Sequence, residues 1–481
     1  VYVKVERSPS LPPPRSEAGV IGWLRTNLFS SWPNTLLTLA GLALIAYSLP
    51  PFLSWAVFNA NWGGEGREAC LPPFGNPDGA CWVFIKARLG LLMYGFYPEA
   101  ERWRIDLAAI LLAASGGQLV AASLLRAPSG RARRLTLLFP LAGAILSFAL
   151  FGALPGLTAV IFLAAPDILA RIRPGRLLLG LAHRPQLQLG LRLGLCLAAG
   201  AILGLGLGAA GEGLAAALSL LMASFLFITL GAAGRSAGGV RFALLIGVYP
   251  VLAYILLLGG GMSLPLVETD NWGGLFLTLA IAGVGIATSL PVGILLALGR
   301  RSRMPVIKAL SVSFIEFIRG VPLISVLFMA SVMLPLTLPA GMHVNKLLRA
   351  LVGVSLFYAA YMAEVVRGGL QAIPRGQYEA AEALGLRYWR VMRLVILPQA
   401  LRLVIPGITN TFLGLLKDTT LVAVINLMDI LGILKSALAD TRWLGFTKEA
   451  YVFAALVFWV ICFGLSRYSM LLEKRLKPGR N

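Results

Sequence analysis

The 481 residues are 58% hydrophobic and only 13% charged, with a mean hydropathy of +0.81, which excludes an ordinary soluble domain. The net charge of +21 would suit nucleic acid, yet no polar domain gathers the basic residues, so no nucleic-acid partner is expected. Short, positively charged loops on one side of a membrane account for the excess instead. The two histidines, His183 and His343, sit in different loops with no cysteine or carboxylate at ligand spacing, so no metal site is expected. No phosphate-binding loop, nucleophile elbow or zincin helix occurs either, and the sequence predicts no catalytic residue and no cofactor bound by this chain.

In chain order, residues 1–33 are proline-rich and basic and read as a cytoplasmic tail with a short surface helix near Trp23 to Phe29. Residues 34–125 hold two spans, near 34–58 and 105–125, around a loop over 59–104. That loop carries Cys70 and Cys81, with ten residues between them, a candidate disulfide if the loop faces an oxidising compartment. Residues 126–271 read as additional membrane helices: a hairpin over 135–170 turning at Pro155-Gly156, then spans near 187–209, 214–233 and 242–262. Gly200, Gly204 and Gly208 have the small-residue spacing of close helix packing. Cys196 and Cys462 lie in apolar segments as small packing residues.

From about 272 the loops become specific in character, with spans near 273–298, 318–338, 348–368, 399–416 and 450–470 and a cytoplasmic tail at 476–481. This makes about 12 transmembrane helices in an all-α, multi-pass membrane protein. Under this topology, with Arg319, Arg367 and Arg402 at span ends counted as inner and Arg349 as outer, 29 of the 42 lysines and arginines fall on the inner side, 11 on the outer, and Arg192 and Arg467 inside spans. The asymmetry supports the arrangement. Arg102 and Arg104 stand against it, because they sit close to a span on the outer side.

The charged residues near the spans divide into three groups. Glu316 with Arg319, and Glu364 with Arg367, are i,i+3 pairs near the inner boundary. They read either as interfacial anchors with snorkelling arginines or as part of a translocation path. Lys417 and Asp418, followed by Thr419, either cap a span or offer both signs of charge to a zwitterionic solute.

The third group is the basic stretch 374–398 between two apolar segments. Pro374 suits a helix start, and Glu379, Glu382, Arg390 and Arg393 are predicted to share one face of a helix over 374–394. Ala380, Ala381, Leu384, Val391 and Met392 fall largely on the other. Such a helix lies on one side of the bilayer.

Within that stretch Glu379-Ala380-Ala381, three residues, Gly385, nine residues and then Val395-Ile396-Leu397-Pro398 resemble the "EAA" signature of ABC importer permease subunits. Val395 replaces the usual isoleucine. Glu316-Phe317-Ile318-Arg319-Gly320-Val321-Pro322, Ala363-Glu364-Val365-Val366-Arg367-Gly368-Gly369-Leu370 and Lys417-Asp418-Thr419-Thr420 resemble the polar amino acid branch, taking in histidine, glutamate/glutamine, arginine and opine uptake. The stretch Asn27–Thr35 and the loop around Cys70 and Cys81 resemble the general L-amino acid importers of Gram-negative bacteria. Residues 126–262 depart from that pattern in holding more spans.

The resemblance implies a five-helix core of the type I ABC importer kind over 272–475, in a bacterial inner membrane. It also implies a periplasmic binding protein delivering the amino acid, a second permease subunit in a heterodimer, and separate cytoplasmic ATPase subunits that use ATP and Mg. The ATPases would grip the segment carrying Glu379, Ala380, Ala381, Gly385, Arg390, Arg393 and Pro398, with membrane lipid around the spans. A twelve-span secondary transporter, a membrane enzyme and a membrane scaffold are the competing readings. The first lacks clear inverted repeats and embedded carboxylates, and the second lacks clustered histidines or carboxylates.

Overall fold

The computed structural model describes residues 19–109, 112, 249–250, 253–259, 264–337, 339 and 344–476. The hairpin expected over 135–170 and the spans near 187–209 and 214–233 lie outside these residues. The described residues are helical and contain only isolated β-bridges. Helices satisfy their own backbone groups, which a bilayer requires of any segment that crosses it.

Two compact units divide the chain, one formed by Val1–Arg88 with Leu438–Phe453 and the other by Leu89–Ala437 with Ala454–Asn481. In the first unit α1 (Gly19–Asn27) precedes α2, an apolar helix that runs Trp32–Phe58 with a π turn over its last residues. Ser31 caps it by accepting a hydrogen bond from the Asn34 N–H. The following loop is structured. Cys70 and Cys81 are disulfide-bonded with their Cα atoms 5.7 Å apart, and the Asn61 side chain bonds the Asn76 backbone through both its donor and its acceptor. α3 (Trp82–Tyr94) begins immediately after Cys81. The Cys81 N–H donates to buried Glu449 at 3.1 Å, Arg88 pairs with Asp440, and Phe84 packs on Trp443 and Phe446.

The second unit is built on two long parallel helices, α4 (Gly274–Arg300) and α7 (Lys346–Gln371). Gly293 makes their close approach possible, since a Cβ there would stand 2.7 Å from that of Met362. Buried side chains form two clusters along the pair. One gathers Leu277, Ile281, Leu327, Val354 and Leu415, and the other Ala297, Ile315, Met362, Val366 and Ile396.

Between α4 and α7 the chain does not form the straight span expected over 318–338. It forms α5 (Pro305–Gly320) and α6 (Leu323–Thr337), bent by 105°. Val321 is extended because it precedes Pro322, and Pro322 has no N–H to continue the helix. The span expected over 399–416 also shifts, because the helix ends at Leu403 and α11 restarts over Ile405–Ile425 with Pro406 in its first turn. α13 (Thr447–Leu476) closes the five-part core. Arg104, the residue at odds with the charge count, is fully buried, where it pairs with Glu101 at 2.7 Å and donates to the Pro265 carbonyl. Arg102 pairs with Glu99. Their charges are matched locally.

α11 and α12 (Ile430–Leu438) are joined by a turn in which Asp429 is fully buried. Its carboxylate accepts from the N–H groups of Leu431 and Gly432 and so caps α12. Burial pushes the Asp429 carboxyl up to about 6, against the pull of those two N–H groups. The folded chain therefore holds this proton more tightly than the unfolded one. The stability it contributes is complete at pH below about 3.8 and is lost as pH rises through about 6. Asp440, held below its ordinary range by Arg442, acts in the opposite sense, so the wild-type-to-variant difference is the informative quantity. Asp429→Asn is expected to remove a fall on the order of 3 kcal/mol across that window. Thermal unfolding midpoints in detergent between pH 4 and 7 check it, and parallel profiles for both proteins would exclude Asp429 as the source.

Candidate functional site

The stretch 374–398 folds differently from the single helix expected of it. α8 (Arg375–Ala383) ends in a left-handed turn at Gly385, with φ +71°. The Gly385 N–H donates to the Glu382 carbonyl at 2.9 Å and the Leu386 N–H to the Ala381 carbonyl at 3.3 Å, the paired bonds of a Schellman ending. α9 (Tyr388–Val391), a π turn over Met392–Ile396 and α10 (Leu397–Leu403, with Pro398 in its first turn) follow. Glu379 and Glu382 therefore belong to one helix and Arg390 and Arg393 to the next, and they do not share a face. A 3.6-residue periodicity does not continue through a glycine that terminates the helix.

Burial divides the motif. Ala381 is buried in the second cluster, beside Leu386, Val391 and Met392. Glu379, Ala380, Glu382 and Gly385 are exposed. Among the described residues no atom beyond its chain neighbours lies within 4 Å of a Cβ at Gly385, so glycine is required here for its backbone angle. Leu384, expected on the packed side, is 79% exposed and Trp389 67%, so the turn presents an apolar crest flanked by charges.

This projecting turn is fixed to the helices beneath it. Arg301, just past the end of α4, donates to the Tyr378 hydroxyl at 2.9 Å and lies over its ring at 5.4 Å. Both Arg301 and Tyr378 also donate to the Leu370 carbonyl near the end of α7. Gln399 of α10 bonds Gln377 of α8 at 3.1 Å. The pairing of Arg301 with Tyr378 leaves no sequence signal, since it joins segments 77 residues apart.

Beside this anchor lies a charge cluster. The sequence suggests two separate intrahelical pairs, but only Glu364–Arg367 forms, at 2.8 Å. Glu316 pairs instead with Arg300 at 2.8 Å, Arg300 also reaches Glu364 at 2.9 Å, and Arg319 stands 3.7 Å from Glu364. The parallel run of α4 and α7 brings Arg300 to Glu364, and α5 supplies Glu316 and Arg319. Glu364, with its side chain only 14% exposed, is the hub of all three helices. Arg319 also lies over the Tyr361 ring.

Asp418 lies away from this cluster and accepts from Tyr358 at 2.6 Å, joining α11 to α7. Lys417 next to it is exposed, and Thr419 is buried and donates to the Leu416 carbonyl. Among the described residues no group of three His, Cys, Asp or Glu side chains is placed to hold a metal.

The "Inner membrane amino-acid ABC transporter permease protein YhdY" of Escherichia coli (strain K12) is 43% identical to this chain over 472 residues, covering 98% of this chain and 97% of its own. The chain belongs to the amino-acid ABC transporter permeases. The "Glutamate/glutamine/aspartate/asparagine transport system permease protein BztC" of Rhodobacter capsulatus is 40% identical, covering 99% of this chain and 98% of its own. The family described as "Binding-protein-dependent transport system inner membrane component" matches residues 289–478, from the middle of α4 to the end of α13. A solved "amino acid ABC transporter with histidines" covers 42% of this chain and 92% of its own at 31% identity, with a TM-score of 0.38. As an ABC permease the chain is a multi-pass transport subunit, not an enzyme.

Glu364→Gln removes the anion from three arginines at a partly buried site. It is expected to destabilise the permease by about 1–3 kcal/mol, between the surface and buried limits for ion pairs. A double-mutant cycle with Arg300→Gln in detergent unfolding should show coupling between the two. Additive effects would show that the contact carries no energy.

Proposed function

We propose that this permease is the membrane subunit of an importer that carries L-amino acids across a bacterial inner membrane. A separate cytoplasmic ATPase drives it by using ATP and Mg. The observation that carries the reading is the exposed crest from Glu379 to Gly385, held by Arg301 and Tyr378 to the ends of the two central helices. An apolar knob at Leu384 between charged residues is shaped to enter a groove on another protein. Glu379, Arg390 and Arg393 supply directional contacts there, and Ala380 leaves room for a close backbone. Rocking of that knob would move α4 and α7 together and alternate access to a path between permease subunits.

The rest of the assembly follows from the same reading. A periplasmic binding protein delivers the amino acid, and a related second permease completes a heterodimer, with lipid around both. Residues 272–475 form the transport core, 1–33 and 476–481 face the cytoplasm, and 59–104 faces the periplasm, where Cys70 and Cys81 are oxidised. Glu316, Arg319, Glu364 and Arg367 lie at the inner end of the path, and Lys417, Asp418 and Thr419 at the outer. The names of the two relatives favour L-amino acids, acidic residues and their amides included.

Glu379→Lys, and replacement of Gly385 by valine, are expected to abolish uptake of labelled amino acids while membrane insertion stays intact. Both should also reduce co-purification of the ATPase subunits. Normal transport with an unchanged ATPase complex would contradict the coupling assignment. Alkylation of Cys70 and Cys81 in intact, unreduced cells would contradict the periplasmic placement.

A further inference from the structure

The end of the core opposite Glu364 carries a cleft of about 400 Å³, inside the size range of small-molecule sites, roughly 300–1,000 Å³. One wall is the segment leading into α4, with Glu268, Thr269 and Asp270. The other is the first turn of α7, with Asn345, Lys346 and Arg349.

The walls are joined and held in place. The Asn345 amide donates to the Thr269 hydroxyl at 2.7 Å, while its oxygen accepts from the Leu347 N–H and caps α7. Arg349 donates to the backbone carbonyls of Ala330 and Ser331, which ties α7 to α6. Despite this proximity the charges do not neutralise each other. Among the described residues Glu268, Asp270, Lys346 and Arg349 form no ion pair within 4 Å.

The charges are segregated by wall, anionic on the segment before α4 and cationic on α7. The amino end of the α7 helix dipole adds to the positive side. Two carboxylates facing two cations give a cleft that is neutral in sum but polar across its width. A simple anion or cation meets as much repulsion there as attraction. A solute carrying a cation and an anion close together satisfies both walls at once.

We propose that this cleft is a binding station for the amino acid itself, with Glu268 and Asp270 taking the α-ammonium and Lys346 and Arg349 the α-carboxylate. The inference rests on the importer reading and adds a recognition step on the permease at the mouth of the path. It reads the two groups common to all α-amino acids and leaves the side chain unread.

The test uses the purified complex of permease and ATPase subunits without binding protein, and a panel of radiolabelled L-amino acids. The expected result is saturable binding that the methyl esters and the N-acetyl derivatives fail to compete. Asp270→Asn and Lys346→Gln should each weaken it about ten-fold, with Lys346→Arg restoring affinity. Thermal unfolding verifies that the variants fold, and Asp270→Asn stands alone if Lys346→Gln does not. Wild-type affinity in both neutralised variants overturns the proposal, and so does absence of binding while the complete system still imports amino acids. In those cases the importer reading stands. Unchanged amino-acid affinity with weaker capture of the binding protein also overturns it and makes the cleft a protein-docking surface. No uptake of any amino acid by the complete wild-type system would remove the importer reading as well.

Discussion

Glu364 is the point on which one end of the core depends. One carboxylate at the C-terminal end of α7 answers Arg300 of α4, Arg319 of α5 and Arg367 of its own helix. Three guanidinium groups could not crowd this closely without it, because like charges at these distances repel and partial burial limits screening. Two apolar clusters bury the sides of α4 and α7, but apolar packing has no direction. The ion cluster supplies direction. It joins α5 to the end of α4 and to the C-terminal half of α7.

The helix ends tied by that cluster also carry the exposed turn. Arg301 follows Arg300 in sequence, one guanidinium serving Tyr378 and the other Glu364. Leu370, whose carbonyl receives both Arg301 and Tyr378, lies six residues beyond Glu364 on α7. Short polar contacts therefore tie α8 to both of these helices. Gly385 shapes the crest through its left-handed backbone angle, and Ala381 anchors it from below. The motif thus separates into a packed half and a presented half.

Much of this was legible in the sequence. The apolar runs locate α2, α4, α7 and α13 closely, because span length and hydropathy are local properties. The EAA spacing marks the stretch that carries the exposed turn, but not the turn itself. The sequence misled where a local rule met a tertiary one. Periodicity joined Glu379 to Arg393 across Gly385, whose left-handed angle ends the helix, and Pro322 and Pro406 moved two helix boundaries. The i,i+3 rule paired Glu316 with Arg319, but Arg300 lies closer once α4 and α5 have folded. The cleft between Asp270 and Lys346 left no sequence signal, since 75 residues separate its walls. The structured loop around Cys70 and Cys81 depends on residues 438–453 in the same way.

The central claim is that the crest at Leu384 is the surface the ATPase grips. A photo-cross-linking amino acid placed at Leu384 in membranes containing the whole importer tests it directly. Phe74, 81% exposed in the disulfide loop, serves as the control position. The account predicts a permease–ATPase adduct from position 384 and none from position 74. Adducts only to lipid from position 384, or an ATPase adduct from position 74, would contradict it.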